Sequence, residues 1–270
     1  MKVFYFLMVF AVIAIASNFL DLPQFSGPEA VGIGQLQIIK GTCLGVMKLF
    51  AVVFSITATA LLLPKDVEER TLYTILAKPV PRLDYLIGKF IGVMLVVAAG
   101  LVVMDVLMAM VLQLRLHQLL SQEMAAAQQR GESVADVIRL QQALSAQGWN
   151  LALQGGVVAI FLQACIVGAC SLLLSTFSSS TLFTTMVAIL IYFIGHFQAD
   201  AAEYYRMTSG AGVSEVGLWV SKVVMLVFPN FQLFNVIDAA IAGVAVSWLN
   251  VAGLAGLSAS YVTVYLLLSW

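Results

Sequence analysis

Charge is scarce in this chain of 270 residues. Only 10% of them are Asp, Glu, Lys or Arg, and 61% are apolar. Soluble domains carry about 25% charged and roughly 45–50% apolar residues. So little polar surface cannot cover a water-soluble domain, and the composition points to a polytopic membrane protein. Thirteen basic and fourteen acidic residues leave a net charge of −1, which excludes a global field that would gather nucleic acid. Three cysteines (Cys43, Cys165, Cys170) make no disulfide framework; they read as small apolar residues of lipid-embedded helices. The two histidines, His117 and His196, are far apart, and no H-E-x-x-H or Cys/His metal spacing occurs. Gly88-Lys89 is followed by Phe90, so the G-x-x-x-x-G-K-[ST] cradle for phosphate and Mg²⁺ is missing. There is no G-x-S-x-G elbow either. No repeat, low-complexity linker or second domain is visible. The chain thus reads as a single transmembrane domain over 1–270, with no catalytic constellation, metal site or cofactor of its own.

What is present is a series of long apolar runs. A helix crosses the hydrocarbon core in about 20 residues. Val3–Leu20 is uncharged and supplies a first span. A second runs from about Cys43 to Leu63, with Lys48 near its outer end, where a long side chain snorkels. A third runs from about Leu86 to Leu112 and contains Asp105. The uncharged stretch 140–199 divides at the Ser-rich turn Ser175–Thr181 into spans at about 150–174 and 180–197; the last lies at about 246–269. Six helices are expected, because the bilayer offers the backbone no water. Continuous apolar runs exclude the period-2 alternation of a barrel. The expected fold is therefore an all-α polytopic membrane protein with about six transmembrane helices.

Basic residues in short loops set the orientation. Pro64–Phe90 holds Lys65, Arg70, Lys78, Arg82 and Lys89, whereas the loop Asp21–Thr42 holds only Lys40. This puts 64–89 and the amino terminus in the cytoplasm, and alternation puts 113–149 and 198–245 outside. A rival reading takes Lys2, the first apolar run and Ala14–Ser17 as a signal peptide with a small-residue cleavage site; 64–89 stays cytoplasmic under it. The segment 113–149 reads as an external helical hairpin broken at Arg130-Gly131-Glu132, with Ser133-x-x-Asp136 as a capping box. Ala199–Gly217 reads as a polar loop. Leu218–Phe234 is apolar but interrupted by Lys222 and Pro229-Asn230, and reads as a re-entrant or interfacial element.

Two places invite a functional reading. Asp105 is the one acid inside the six expected spans. An intramembrane acid is a functional-site candidate by default; the competing reading is a hydrogen-bonded carboxylate near the end of a tilted helix. The second place is the charged island 64–90. Asp66–Ala77 has no Gly or Pro, with Asp66, Glu68 and Glu69 at its start and Lys78 at its end, which suits the helix dipole. Val67, Thr71, Leu72, Ile75 and Leu76 form one face, and Pro79 and Pro81 stop the helix. The island is expected to hold a short amphipathic helix at the cytoplasmic surface, tied to two spans. A plain polar loop is the alternative.

At these residues the chain resembles the permeases of ABC type-2 (ABC-2) transporters, and more closely the permease component of multicopper-enzyme maturation systems. The resemblance lies in Glu69-Arg70-Thr71-Leu72, then Lys78-Pro79-x-x-Arg82, then Gly88-Lys89 opening the next span. "LLLSTFSSS" leading into "YFIGH", and "FPNFQLFN" before the last span, fit as well. The resemblance implies six spans, a second permease subunit (homo- or heterodimer), and a pair of cytoplasmic ATPase subunits that bind ATP and Mg²⁺. It makes 66–77 the coupling helix resting on the ATPase, with Glu68, Glu69, Arg70, Thr71, Leu72, Lys78, Pro79, Arg82 and Lys89 as its coupling residues. It implies an exporter in the cell inner membrane, contacting lipid, with both termini cytoplasmic. Family members begin with an amphipathic helix before the first span and end with a few basic residues. This chain starts almost inside the first span and stops at Ser269-Trp270, so both ends look clipped. An ion-coupled secondary transporter, which would draw on Asp105 and the Pro229 region, and a non-transporting membrane scaffold are the other two readings.

Overall fold

The computed structural model describes residues 2–19, 33–68, 82–130, 134–178, 180–208, 216–217, 219–220, 222–223, 228–242 and 247–269. Among them there is no strand. The helices are α1 (Lys2–Ala16), α2 (Ile33–Glu68), α3 (Arg82–Arg130), α4 (Val134–Ala146), α5 (Leu151–Phe177), α6 (Thr181–His196), α7 (Gln198–Thr208), α8 (Ile237–Ala242) and α9 (Trp248–Leu268). Four of these contain stretches long and apolar enough to cross a membrane: Gly34–Leu62, Leu83–Ala126, Leu153–Phe177 and Trp248–Leu268. The apolar parts of α1 and α6 are shorter, Tyr5–Ala16 and Thr181–His196. The protein is an all-α polytopic membrane protein.

Several boundaries differ from the sequence expectation, each for a physical reason. α2 begins at Ile33 and not near Cys43, because Lys40 is buried inside the protein and the helix need not wait for the charge to pass. α3 runs without a break to Arg130. The expected span and the first arm of the expected hairpin are one helix, since no Gly or Pro occurs from Leu101 to Arg130 and a change in polarity alone does not stop a helix. Part of the expected polar loop, 198–208, is helical for the same reason: its breakers, Ser209 and Gly210, lie at its end.

The chain forms two compact units. The first consists of Met1–Ala51, Ala98–Ile160 and Val236–Val251. Here Gly100 faces the ring of Phe50 and the sulfur of Met8. Farther along the same two helices, Arg115 on α3 donates from Nε and Nη2 to the carbonyl of Asn18, at 3.2 and 3.1 Å. The order Met8–Gly100, Asn18–Arg115 makes α1 and α3 parallel. The guanidinium also satisfies a carbonyl just beyond the carboxyl end of α1, where cations are favoured. Ala11 and Ile15 are buried as well, so α1 is packed within this unit. α8 lies against glycines: Ile241 at Gly41 of α2, and Ala240 at Gly156 of α5.

The second unit consists of Val52–Val97, Phe161–Asn235 and Ala252–Trp270. Its two apolar clusters share α5. Val52, Ile56, Ile166, Val167, Ala188, Phe231 and Phe234 form one, bordered by Leu254, Leu257, Tyr261 and Tyr265 of α9. Leu86, Phe90, Met94, Ala169 and Leu172 form the other. Hydroxyls join α5 to its neighbours. Ser55 on α2 donates to the carbonyl of Ala164 at 2.8 Å, and Ser171 on α5 donates to the carbonyl of Ile56 at 3.1 Å. Ser258 on α9 donates to the carbonyl of Leu162 at 3.1 Å. Gly168 makes the close approach possible, because a Cβ there would strike the Ser55 hydroxyl and lie 2.8 Å from the Met94 methyl. Small residues and hydroxyls are what hold helices together where lipid removes the hydrophobic drive. The order of these contacts makes α2, α5 and α9 parallel. Parallel first and third spans, and parallel second, fourth and sixth, are what a chain crossing back and forth six times produces.

Candidate functional site

The island 64–89 lies within the second unit. α2 carries Pro64 inside it and continues to Glu68, so 66–68 form its last turn, not the start of a separate helix. Glu69, Arg70, Thr71, Leu72, Lys78 and Pro79 lie outside the described residues, as does most of the expected coupling helix 66–77. Arg82 is the first residue of α3. About two turns further in, Lys89 places its ammonium 5.6 Å from the ring centre of Tyr85, a cation–π distance. Tyr85 packs beside the Leu86–Phe90–Met94 cluster and reaches Leu172 of α5 through it. On either side of the 69–81 segment the described contacts with α5 are made by Ala60 of α2, through Ser175, and by Leu86 and Phe90 of α3, through Ala169 and Leu172.

Pro64 raises a bonding problem that its neighbours solve. Proline has no N–H for the carbonyl four residues back, which belongs to Ala60, a fully buried residue. The Ser175 hydroxyl on α5 donates to that carbonyl at 3.3 Å.

Asp105 lies in the first unit, on α3, half-buried. The amide nitrogen of Gln154 on α5 donates to both of its carboxylate oxygens, at 3.0 Å each. Charge-assisted bonds of this kind are stronger than neutral ones and hold a carboxylate in place. The carboxylate is thus hydrogen-bonded, and it lies well inside α3 rather than near its end.

Two cations were legible only as topology markers. Lys40, assigned from sequence to a loop, sits on α2 at 1% exposure, with Nζ donating to Oε1 of Gln147 at 2.7 Å. Lys48, farther along α2, has Asp238 of α8 within electrostatic reach. No spacing in the sequence pairs 40 with 147 or 48 with 238. The one available signal was the presence of Lys40, Lys48, Asp105, Gln154 and Asp238 in or beside apolar runs, where each polar group needs a partner.

The second and third motif stretches meet. "YFIGH" is the carboxyl end of α6 and "FPNFQLFN" runs over 228–235. A Cβ on Gly195 would lie 2.5 Å from the Phe231 ring and 2.8 Å from the carbonyl oxygen of Pro229. The rings of Tyr192 and His196 each lie 5.6 Å from that of Phe231. Gln232 donates to the carbonyl of His196 at 2.9 Å, and to Asp200 at 3.3 Å, which satisfies the end of α6. Phe231 and Phe234 are buried against Val52, Ile56, Ile166 and Val167, residues near the middle of α2 and α5. Irregular backbone at that depth persists where protein shelters it.

A family model described as "ABC-2 family transporter protein" matches residues 3–266. A comparison with curated proteins gave no match.

Proposed function

The chain belongs to the ABC-2 transporter family, and from that premise we propose that it is the permease subunit of an ATP-driven exporter whose energy comes from separate ATPase subunits. The observation that carries the reading is the family match over nearly the whole chain. In this reading the segment 64–89 faces the cytoplasm of a cell bounded by an inner membrane, as do both termini. A pair of ATPase subunits binds ATP and Mg²⁺ and seats on the segment through Glu68, Glu69, Arg70, Thr71, Leu72, Lys78, Pro79, Arg82 and Lys89. A second permease subunit completes the pathway. This chain supplies no catalytic group. Its task is mechanical: a displacement of 69–81 enters through α2 and α3, which meet α5 at Ala60 and at Leu86 and Phe90.

The test is reconstitution with the cognate ATPase subunits in nanodiscs. Glu69→Lys and Arg70→Glu are expected to lower co-purification of the ATPase, or its stimulation by the membrane subunit, while the chain still inserts. If both variants retain and stimulate the ATPase like the wild type, the docking reading is wrong. The ion-coupled alternative rests on Asp105, whose two oxygens are already engaged by Gln154.

A further inference from the structure

The Pro64–Ala60–Ser175 relationship extends the reading of 64–89. Ser175 is 4% exposed, and it ends a series of hydroxyl-to-carbonyl bonds joining α2 and α5: Ser55 to Ala164, Ser171 to Ile56, Ser175 to Ala60. Nearby hydroxyls are committed elsewhere. Thr59 donates to the carbonyls of Ser55 and Ile56 within its own helix, at 2.7 and 3.2 Å. Thr176 donates to that of Leu173 at 2.7 Å. Helices bend sharply at proline because the carbonyl four residues back loses its donor. Here the donor is returned from another helix, eight residues before α2 ends at Glu68 and the segment 69–81 begins.

We propose that Ser175 is the positioning residue of the coupling step. Its hydroxyl replaces the helix bond that Pro64 deletes, holds the last turns of α2 in line, and makes the ends of α2 and α5 move together when 69–81 is displaced. The coupling role rests on the docking reading above; the Ser175–Ala60 bond does not. Without that bond the proline is a joint, and a push on the segment bends α2 locally without moving α5.

The experiment uses the full chain in nanodiscs, with Cys43, Cys165 and Cys170 replaced by alanine and spin labels at Asp66→Cys and Phe177→Cys. Ser175→Ala is expected to broaden the label-to-label distance distribution. Pro64→Ala restores a backbone donor to Ala60, so Pro64→Ala/Ser175→Ala is expected to be as narrow as the wild type, as are Pro64→Ala and Ser175→Thr. No broadening in Ser175→Ala overturns the proposal. So does broadening that Pro64→Ala leaves unrepaired, since a serine needed only for packing would behave that way. In the complex with its ATPase subunits, ATP with vanadate is expected to shift the wild-type distance. The fraction of Ser175→Ala molecules that follow is expected to fall about fivefold, which corresponds to losing one hydrogen bond of about 1 kcal/mol. A wild-type pair that ignores nucleotide, with the rescue pattern intact, overturns the docking reading and the coupling role and leaves the local bond standing.

Discussion

Lys40 and Gln147 stand 107 residues apart in the chain and 2.7 Å apart in space. The ammonium is almost wholly enclosed, and its acceptor is a neutral amide. Removing one partner of such a pair is expected to cost more than removing the charge itself. Gln147→Ala is expected to lower stability by about 1–3 kcal/mol, whereas Lys40→Met, which keeps the volume and drops the ion, is expected to be neutral or stabilising. Thermal unfolding of the purified chain in detergent measures both. A larger loss in Lys40→Met than in Gln147→Ala contradicts the ranking.

Asp105 separates the two transport readings. Asp105→Asn keeps an acceptor for Gln154 and removes the charge, so a structural carboxylate predicts an inserted, folded chain whose ATPase stimulation stays within about twofold of the wild type, a difference of under ~0.5 kcal/mol. Gln154→Leu strands the carboxylate and is expected to destabilise by about 1–3 kcal/mol. Abolished stimulation in a well-folded Asp105→Asn variant points instead to a chemical role for the acid.

The junction of the two motif stretches depends on the absence of one methyl group. Gly195→Ala puts a Cβ 2.5 Å from the Phe231 ring and 2.8 Å from the Pro229 carbonyl, and backbone cannot step aside as a flexible side chain can. The expected loss is about 1–3 kcal/mol. Gly253→Ala and Gly256→Ala on α9, where nothing lies within 4 Å, serve as controls expected to be neutral or slightly stabilising. Equal melting temperatures for all three variants would refute the argument.

Arg115 is not replaceable by lysine. The Asn18 carbonyl receives two bonds from one guanidinium, which also donates to Gln118 at 3.2 Å. A lysine presents a single nitrogen on a different stem. Arg115→Lys is expected to cost about 1 kcal/mol or more and to raise protease susceptibility at residues 17–19. Unchanged cleavage there would show that α1 does not need this tie.

The helices were legible from apolar runs and their class from composition, because both depend on local residues alone. Their ends were less so. α3 passes Leu112 and continues to Arg130, since the change from lipid-facing to polar side chains carries no backbone signal. α2 passes Pro64 because a serine 115 positions from Ala60 supplies that carbonyl's missing donor, and no local rule contains that. Asp105 and the Gly-Lys pair stood out as charges in or at the edge of greasy runs. Their partners Gln154 and Tyr85 did not, because amide and phenol side chains look ordinary until the fold sets them opposite an ion. The three motif stretches were readable one by one; that two of them form a joint at Gly195 and Phe231 was not.

The tie between Arg115 and Asn18 bears on how the protein is made. The two residues are separated by 97 positions, which a ribosome working at roughly 5–20 residues per second takes about 5 to 20 seconds to add. Until Arg115 has been synthesised, the carbonyl of Asn18 lacks the donor that the folded protein gives it. The tie that joins α1 to α3 is therefore available only after most of α3 up to Arg115 exists, which puts a minimum delay on this part of the fold.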